Sequence, residues 1–224
     1  MIGCLTNNAS VLNKYLISSL KNLKSDKETI FEIRFNEVSM AIGLNKIIDK
    51  AIEQKVDYLY LLHHDIEIVE QSLFTVCEEI LDKFVNVGIV GAIGGKLLTS
   101  MAWWESQEKY GRIYWDKFDF EQSPDFKKIF SEVDVLDGCF LAIKRDLFYK
   151  LKFNERIPHF HGYDYDYCLR ARSLGYKSVA LPLEIRHYAD LGFKSEKEFL
   201  FYETLKRNLF NSGNYTSKGN YTSK

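Results

Sequence analysis

Proline is scarce in this chain, at 3 of 224 residues, while large rings are abundant: 3 Trp, 14 Tyr and 16 Phe. A chain with so few breakers and so many bulky apolar groups is not disordered. Cysteine is sparse too. Cys4, Cys77, Cys139 and Cys168 are widely separated, and no C-x-x-C pair occurs. That spacing excludes a disulfide-dense scaffold and a thiolate zinc site. The opening Met-Ile-Gly-Cys-Leu-Thr-Asn-Asn lacks a basic region followed by an apolar stretch, so no secretory leader is expected. No run approaches the ~20 apolar residues of a spanning helix. A reducing, cytoplasmic location is the expectation. Net charge is nearly absent as well: 30 Lys and Arg stand against 31 Asp and Glu. That balance argues against a surface built to grip nucleic acid or an anionic bilayer, although a local basic patch stays open.

What is present suits one globular domain with a sizeable core, at 46% apolar and 27% charged residues. Residues 2–5 read as a strand, with Asn8 or Ser10 as cap for a helix carrying Val11, Tyr15, Ile17 and Leu20. Residues 29–35 alternate as a strand, and Ser39 can cap a helix bearing Ile42, Ile47, Ile48 and Ile52. Strands follow at 57–62 and 87–93, with a helix around 73–84 between them. This alternation predicts an α/β fold with a mostly parallel central sheet flanked by helices. Residues 96–133 break the pattern with Trp103, Trp104, Tyr110, Tyr114, Trp115, Phe118 and Phe120, and read as a long excursion with some β character. Order resumes with a strand at 133–144, a helix over 163–174, a strand at 178–181 and an amphipathic helix at 195–210. That last helix reads as a cap on the core, with a peripheral membrane contact as its other reading. The repeated GNYTSK of residues 213–224 predicts a disordered tail.

Three segments carry chemistry. In an open parallel sheet, ligands bind beyond the carboxyl ends of the strands. One such end reads Leu62-His63-His64-Asp65-Ile66-Glu67, where an apolar strand runs into imidazoles and carboxylates. A second cluster is His159-Phe160-His161-Gly162-Tyr163-Asp164-Tyr165-Asp166 at the head of a helix, where carboxylates complement the helix dipole. The third is Asp137-Gly138, interrupting an apolar strand at a glycine that would admit a close backbone approach.

In this order the segments resemble the family 2 type of glycosyltransferase with the GT-A fold, in particular its bacterial subgroup with a His-x-Asp third-strand motif. The resemblance runs over about residues 1–190. It implies an inverting, metal-dependent enzyme that binds a nucleotide-diphosphate sugar, UDP-linked above all, with Mn²⁺ or Mg²⁺. Its acceptor would be a surface glycan or a lipid-linked oligosaccharide, at the inner membrane face. The resemblance assigns Asp65 to the metal, with Glu67 as a second register and His187 as a further ligand. Thr6, Asn7, His63 and His64 fall to the nucleotide side, His63 standing where the family carries its first Asp. Asp164 would be the general base and Asp166 a supporting acid able to raise its pKa, while Tyr163 departs from the family's Glu. Asp137 and Gly138 fall to the acceptor side, with Trp103, Trp104 and Trp115 as acceptor candidates. The expected organisation is a nucleotide-sugar half (1–95), an acceptor and catalytic half (96–192), a terminal helix (193–211) and the tail (212–224). Two other readings compete. One is a zinc hydrolase built on His63, His64, His159 and His161; the other is a non-catalytic sugar-nucleotide or glycan-binding module.

Overall fold

A computed structural model describes residues 1–21, 23, 28–98, 103–115, 118–121, 130–158, 160–188, 196–197, 199–201 and 203–204. The chain opens with β1 (Ile2–Thr6), whose Ile2 and Cys4 are buried in the core. The Asn8 side chain accepts from the Ser10 and Val11 amides and starts a helix. That helix runs as α1 (Ala9–Leu12), a π-helical turn (Asn13–Ile17) and α2 (Ser18–Leu20). β2 (Phe31–Phe35) returns parallel to β1. Ser39 then caps α3 (Met40–Glu53), which buries Ala41, Leu44, Ile47, Ile48 and Ala51 on one stripe. This stripe lies so close to β1 that a methyl group on Gly3 would fall 2.4 Å from Ile47 Cγ2.

β3 (Tyr58–His63) pairs parallel with β1 and is buried from Leu59 to Leu62. After it come β4 (Ile66–Ile68), α4 (Leu73–Lys83), β5 (Val87–Gly91) and β6 (Ile93–Lys96). A 3₁₀ turn (Trp103–Glu105) leads to β7 (Glu108–Trp115) and β8 (Phe118–Glu121). The chain continues through β9 (Ser131–Val133), β10 (Val135–Leu136), β11 (Phe140–Lys144) and α5 (Arg145–Phe148). It then forms α6 (Tyr163–Ser173), β12 (Lys177–Ala180) and β13 (Ile185–His187).

The strands form two sheets. The larger has the order β2-β1-β3-β11-β5-β12-β9, and five of its seven strands share one direction, only β11 and β9 opposing them. The second has the order β10-β6-β7-β13-β4, with β8 paired to β7. Two expected strands are divided by this arrangement. Residues 87–93 cross from the first sheet to the second at Ala92, where Gly111 of β7 (φ +98°) packs so tightly that a Cβ would lie 2.0 Å from the Ala92 carbonyl. Residues 133–144 become β9, β10 and β11, because Val135–Leu136 pairs with β6 while Phe140–Lys144 pairs with β3 and β5. Continuous apolarity cannot distinguish one strand from consecutive buried strands in different sheets. The 96–133 excursion supplies β7 and β8, two of the six strands of the second sheet.

In the terminal segment, residues 196–197, 199–201 and 203–204 are helical, but Phe199 and Leu200 are exposed. The expectation that this helix caps the core is therefore corrected at these positions. Residues 205–224, including the repeated tail, lie outside the described residues. No helix among the described residues is long and apolar enough to cross a membrane.

Candidate active site

The carboxyl end of β3 delivers His63, and the turn into β4 delivers Asp65. β13 pairs antiparallel with β4, bringing His187 opposite Ile66, and the Tyr188 amide donates to the Asp65 carbonyl at 2.9 Å. Sheet pairing thus gathers three side chains from two distant stretches of sequence. The donor atoms of His63, Asp65 and His187 all lie within 4.8 Å of one another. Asp65 Oδ1 is 3.4 Å from His187 Nε2 and 3.9 Å from His63 Nδ1, yet it is buried and accepts no hydrogen bond of good geometry. Burial pushes the Asp65 carboxyl up, but the His187 and His63 imidazoles outweigh it and hold the group below the usual carboxylate range. For His63 burial prevails and lowers the imidazole to about 4, leaving its nitrogen neutral at pH 7. A buried carboxylate oxygen without a donor, beside neutral imidazole, suits a divalent cation with mixed nitrogen and oxygen ligands. The residues present fit such an ion.

Asp164 stands in the first turn of α6, two residues after Gly162 at φ +93°. Its Oδ2 accepts the Gly138 amide at 2.9 Å, and its Oδ1 accepts the Tyr165 amide at 3.0 Å. Burial and the neighbouring Asp137 carboxylate push the Asp164 carboxyl up to about 7, against these two donors. Asp137 itself is held by two donors, the Cys139 amide at 2.9 Å and the Trp103 indole N–H at 2.7 Å. Burial raises its carboxyl, but the His187 imidazole and these donors leave it below its ordinary value. The two acids are thereby driven apart, one ionised and one titrating near neutrality. Gly138 permits the contact: a Cβ there would fall 2.1 Å from the Tyr163 hydroxyl and 3.1 Å from Asp164 Oδ2.

The remaining expected site residues are distributed as follows. The Thr6 hydroxyl is 2.6 Å from His64 Nδ1 and tethers the end of β1 to the turn after β3; Asn7 beside it is exposed. Glu67 stands away from the His63, Asp65 and His187 group. Its Oε2 accepts the Tyr188 hydroxyl at 2.7 Å and pairs with Arg186, and Tyr188 stacks on Tyr15 at 4.0 Å. Glu67 thus fastens β13 to β4 and to the first helix, which corrects the register that put it beside Asp65. Asp166 needs a similar correction. It accepts from Arg170 Nε at 2.6 Å and from Asn154 at 3.4 Å, and the acid that raises Asp164 is Asp137. Residues two apart on a helix are separated by about 200°, so Asp164 and Asp166 face apart.

The tryptophans divide as well. Trp103 is 1% exposed and cannot offer a ring face to a sugar; its N–H anchors Asp137, and its backbone amide donates to the Tyr165 hydroxyl. Trp104 packs edge-on against it at 5.8 Å and remains 49% exposed. The backbone of Trp115 pairs with that of His187, while its side chain lies outside the described residues, as does His159. Among the described residues, His64 and His161 join neither the His63, Asp65 and His187 group nor the second possible ligand set of Asp137, Cys139 and His187, so the histidine-rich zinc arrangement is not assembled by them. Sequence reasoning missed two connections, that of Trp103 to Asp137 and that of Tyr163 to His63. Only the placing of a tyrosine between a helix-opening glycine and an acid signalled the second.

Residues 1–197 match the glycosyltransferase-like family. The chain belongs to that family. It is 23% identical over 157 residues to the streptomycin biosynthesis protein StrF of Streptomyces griseus, covering 69% of this chain and 53% of StrF. The chain thus spans about half the length of that curated relative. Family membership agrees with the fold. GalNAc-T7, solved with UDP, GalNAc and Mn²⁺, superposes with a TM-score of 0.61 at 13% identity, over 85% of this chain and 44% of that one. The mannosyltransferase PcManGT of Pyrobaculum calidifontis, solved with GDP-Man and Mn²⁺, gives 0.53 at 12% identity, over 84% and 56%. The architecture is that of GT-A glycosyltransferases.

Proposed function

We propose that the protein is a metal-dependent, inverting glycosyltransferase that moves a sugar from a nucleotide-diphosphate donor to a hydroxyl acceptor. The observation that carries this reading is the pairing of two centres across one short bridge. On one side lies the His63, Asp65 and His187 group with its undonated carboxylate oxygen; on the other lies Asp164, raised to about 7. Tyr163 spans them, since its hydroxyl is 2.8 Å from His63 Nε2 and 3.2 Å from the Gly138 carbonyl, whose own amide holds Asp164.

Mn²⁺ or Mg²⁺ held by Asp65, His63 and His187 would neutralise the charge of the departing diphosphate. The remaining work falls to the chain itself. Asp164 takes the proton of the acceptor hydroxyl as that oxygen bonds to the anomeric carbon. The bond from that carbon to the diphosphate oxygen breaks, and the nucleoside diphosphate leaves with the electron pair. A base near neutrality is suited to this step, because it is ionised at working pH yet basic enough to hold the proton. Single displacement inverts the anomeric centre. Asp137 keeps Asp164 basic by like-charge proximity and is itself locked by Trp103 and Cys139. Thr6, Asn7 and His64 border the nucleotide side. Trp104 offers an exposed aromatic face to the acceptor, which on this reading is a surface glycan or lipid-linked oligosaccharide. UDP-sugars are the first donors to try, since GalNAc-T7 was solved with UDP.

The test is transfer or hydrolysis from UDP-, dTDP- and GDP-sugars with Mn²⁺, with and without chelator, and with the product anomer read by NMR. Chelator-sensitive turnover with an inverted product is expected. Tight stoichiometric zinc together with no nucleotide binding would overturn the proposal.

A further inference from the structure

The Tyr163 hydroxyl carries one proton and meets two partners. The Gly138 carbonyl, at 3.2 Å, can only accept. His63 Nε2, at 2.8 Å, either accepts or donates according to the tautomer of the ring. If the phenol gives its proton to Gly138, the arrangement is complete only when His63 Nε2 carries hydrogen and donates to the phenol oxygen. The opposite arrangement leaves the buried Gly138 oxygen facing a phenol oxygen without hydrogen between them. With Nε2 protonated in a neutral ring, Nδ1 bears the free lone pair, and Nδ1 is the nitrogen 3.9 Å from Asp65 Oδ1. We propose that Tyr163 is a positioning residue that fixes His63 in its Nε2–H tautomer and so presents Nδ1 as a ligand atom beside Asp65 and His187.

The surroundings support a fixed hydroxyl. Tyr163 is 3% exposed, and its ring packs against Phe153 at 5.8 Å between centroids. The start of α6 is defined by Gly162 (φ +93°), and the approach of Tyr163 to Gly138 leaves no room for a methyl group there. The His63 amide also donates to the Cys139 carbonyl at 2.9 Å, which ties the strand bearing the imidazole to the turn bearing the Gly138 acceptor. A ligating histidine whose other nitrogen is hydrogen-bonded is thereby held in both ring orientation and tautomer. This inference rests on the metal reading of the site, but it concerns a bond inside the chain that is present without any ion.

The tautomer is read directly from ¹⁵N shifts of the His63 ring in metal-free wild-type protein, with a His63→Gln variant for assignment. Protonation on Nε2 is expected; protonation on Nδ1 would overturn the inference. Titration with Mn²⁺ alone, followed by electron paramagnetic resonance, provides the second readout. Tyr163→Phe, which keeps the ring and removes the hydroxyl, should weaken Mn²⁺ binding about 10–100-fold. Equal binding by the variant and wild type overturns the role of Tyr163 and leaves the metal reading standing. If wild-type protein binds no divalent ion, the metal reading fails, and Nδ1 has no ligand role to be positioned for.

Discussion

Asp164 is the residue where one atom decides the chemistry. Replacing it by Asn keeps the shape and one acceptor oxygen but removes the base. Asp164→Asn should lower kcat by about 10²–10⁴-fold, with donor binding little changed, as measured by steady-state kinetics and nucleotide titration. The pH dependence follows from the same carboxyl. Because the base must be ionised, kcat/KM should rise with pH and level off above about 7, the value to which burial and Asp137 bring it. An acidic limb near 4, or none, would count against Asp164. Stability runs the other way. The folded-state value of about 7 lies above the ordinary 3.8, so the folded protein retains a proton that the unfolded chain releases between these values. The stabilising contribution is complete below about 4 and lost as pH rises through 7. Asp164→Asn should therefore gain melting temperature relative to wild type as pH rises from 4 to 8, a gain that accompanies its loss of activity.

At the scale of elements, the site depends on a turn and a helix head that meet only because one residue lacks a side chain. Gly138→Ala places a Cβ 2.1 Å from the Tyr163 hydroxyl and 2.7 Å from its Cζ, so the turn before β11 or the head of α6 must shift. The expected outcome is about 1–3 kcal/mol of destabilisation in denaturant unfolding, together with a loss of activity larger than that stability change explains. The two tryptophans of the 3₁₀ turn should separate by kinetics. Trp103→Phe removes the N–H that holds Asp137 and should lower kcat, while Trp104→Ala removes an exposed face and should raise acceptor KM at nearly constant kcat. What the sequence disclosed follows the same division. The apolar β3 running into His63-His64-Asp65 was legible because strand ends in this architecture host ligands. Ser39 was legible as a helix cap, and Asn8 as one of two candidates with Ser10, because such side-chain oxygens replace missing backbone partners. The role of Trp103 was hidden because an aromatic-rich stretch does not reveal which ring faces inward. Asp166 and Glu67 misled for one reason: proximity in sequence to Asp164 and Asp65 is not proximity in space, and helix and sheet geometry turned both towards arginines.

For the whole molecule, the decisive fact is that the larger sheet supplies His63 and the second sheet supplies His187. Sequence alternation foretold the parallel part of the first sheet, whereas His187 came to the metal only through the family resemblance, since no periodicity in residues 185–188 declares that β13 will pair with β4 and bring an imidazole to Asp65. A cation bound there would join the two sheets, and so should stabilise the fold as a whole. Ligand that binds only the native state adds about 2.7 kcal/mol at a hundred times its dissociation constant. For a chain of this length each kcal/mol moves the melting temperature by roughly 2–4 °C, so saturating Mn²⁺ should raise it by about 5–10 °C. Nucleoside diphosphate should add to the shift in the presence of Mn²⁺ and do much less with chelator, because its phosphates then meet Asp65 without the intervening positive charge. Asp65→Ala should abolish the Mn²⁺ shift while leaving a folded protein, since no hydrogen bond to Oδ1 is lost. A melting temperature unmoved by Mn²⁺ and nucleoside diphosphate together would mean that the sheets meet around these side chains for structural reasons alone.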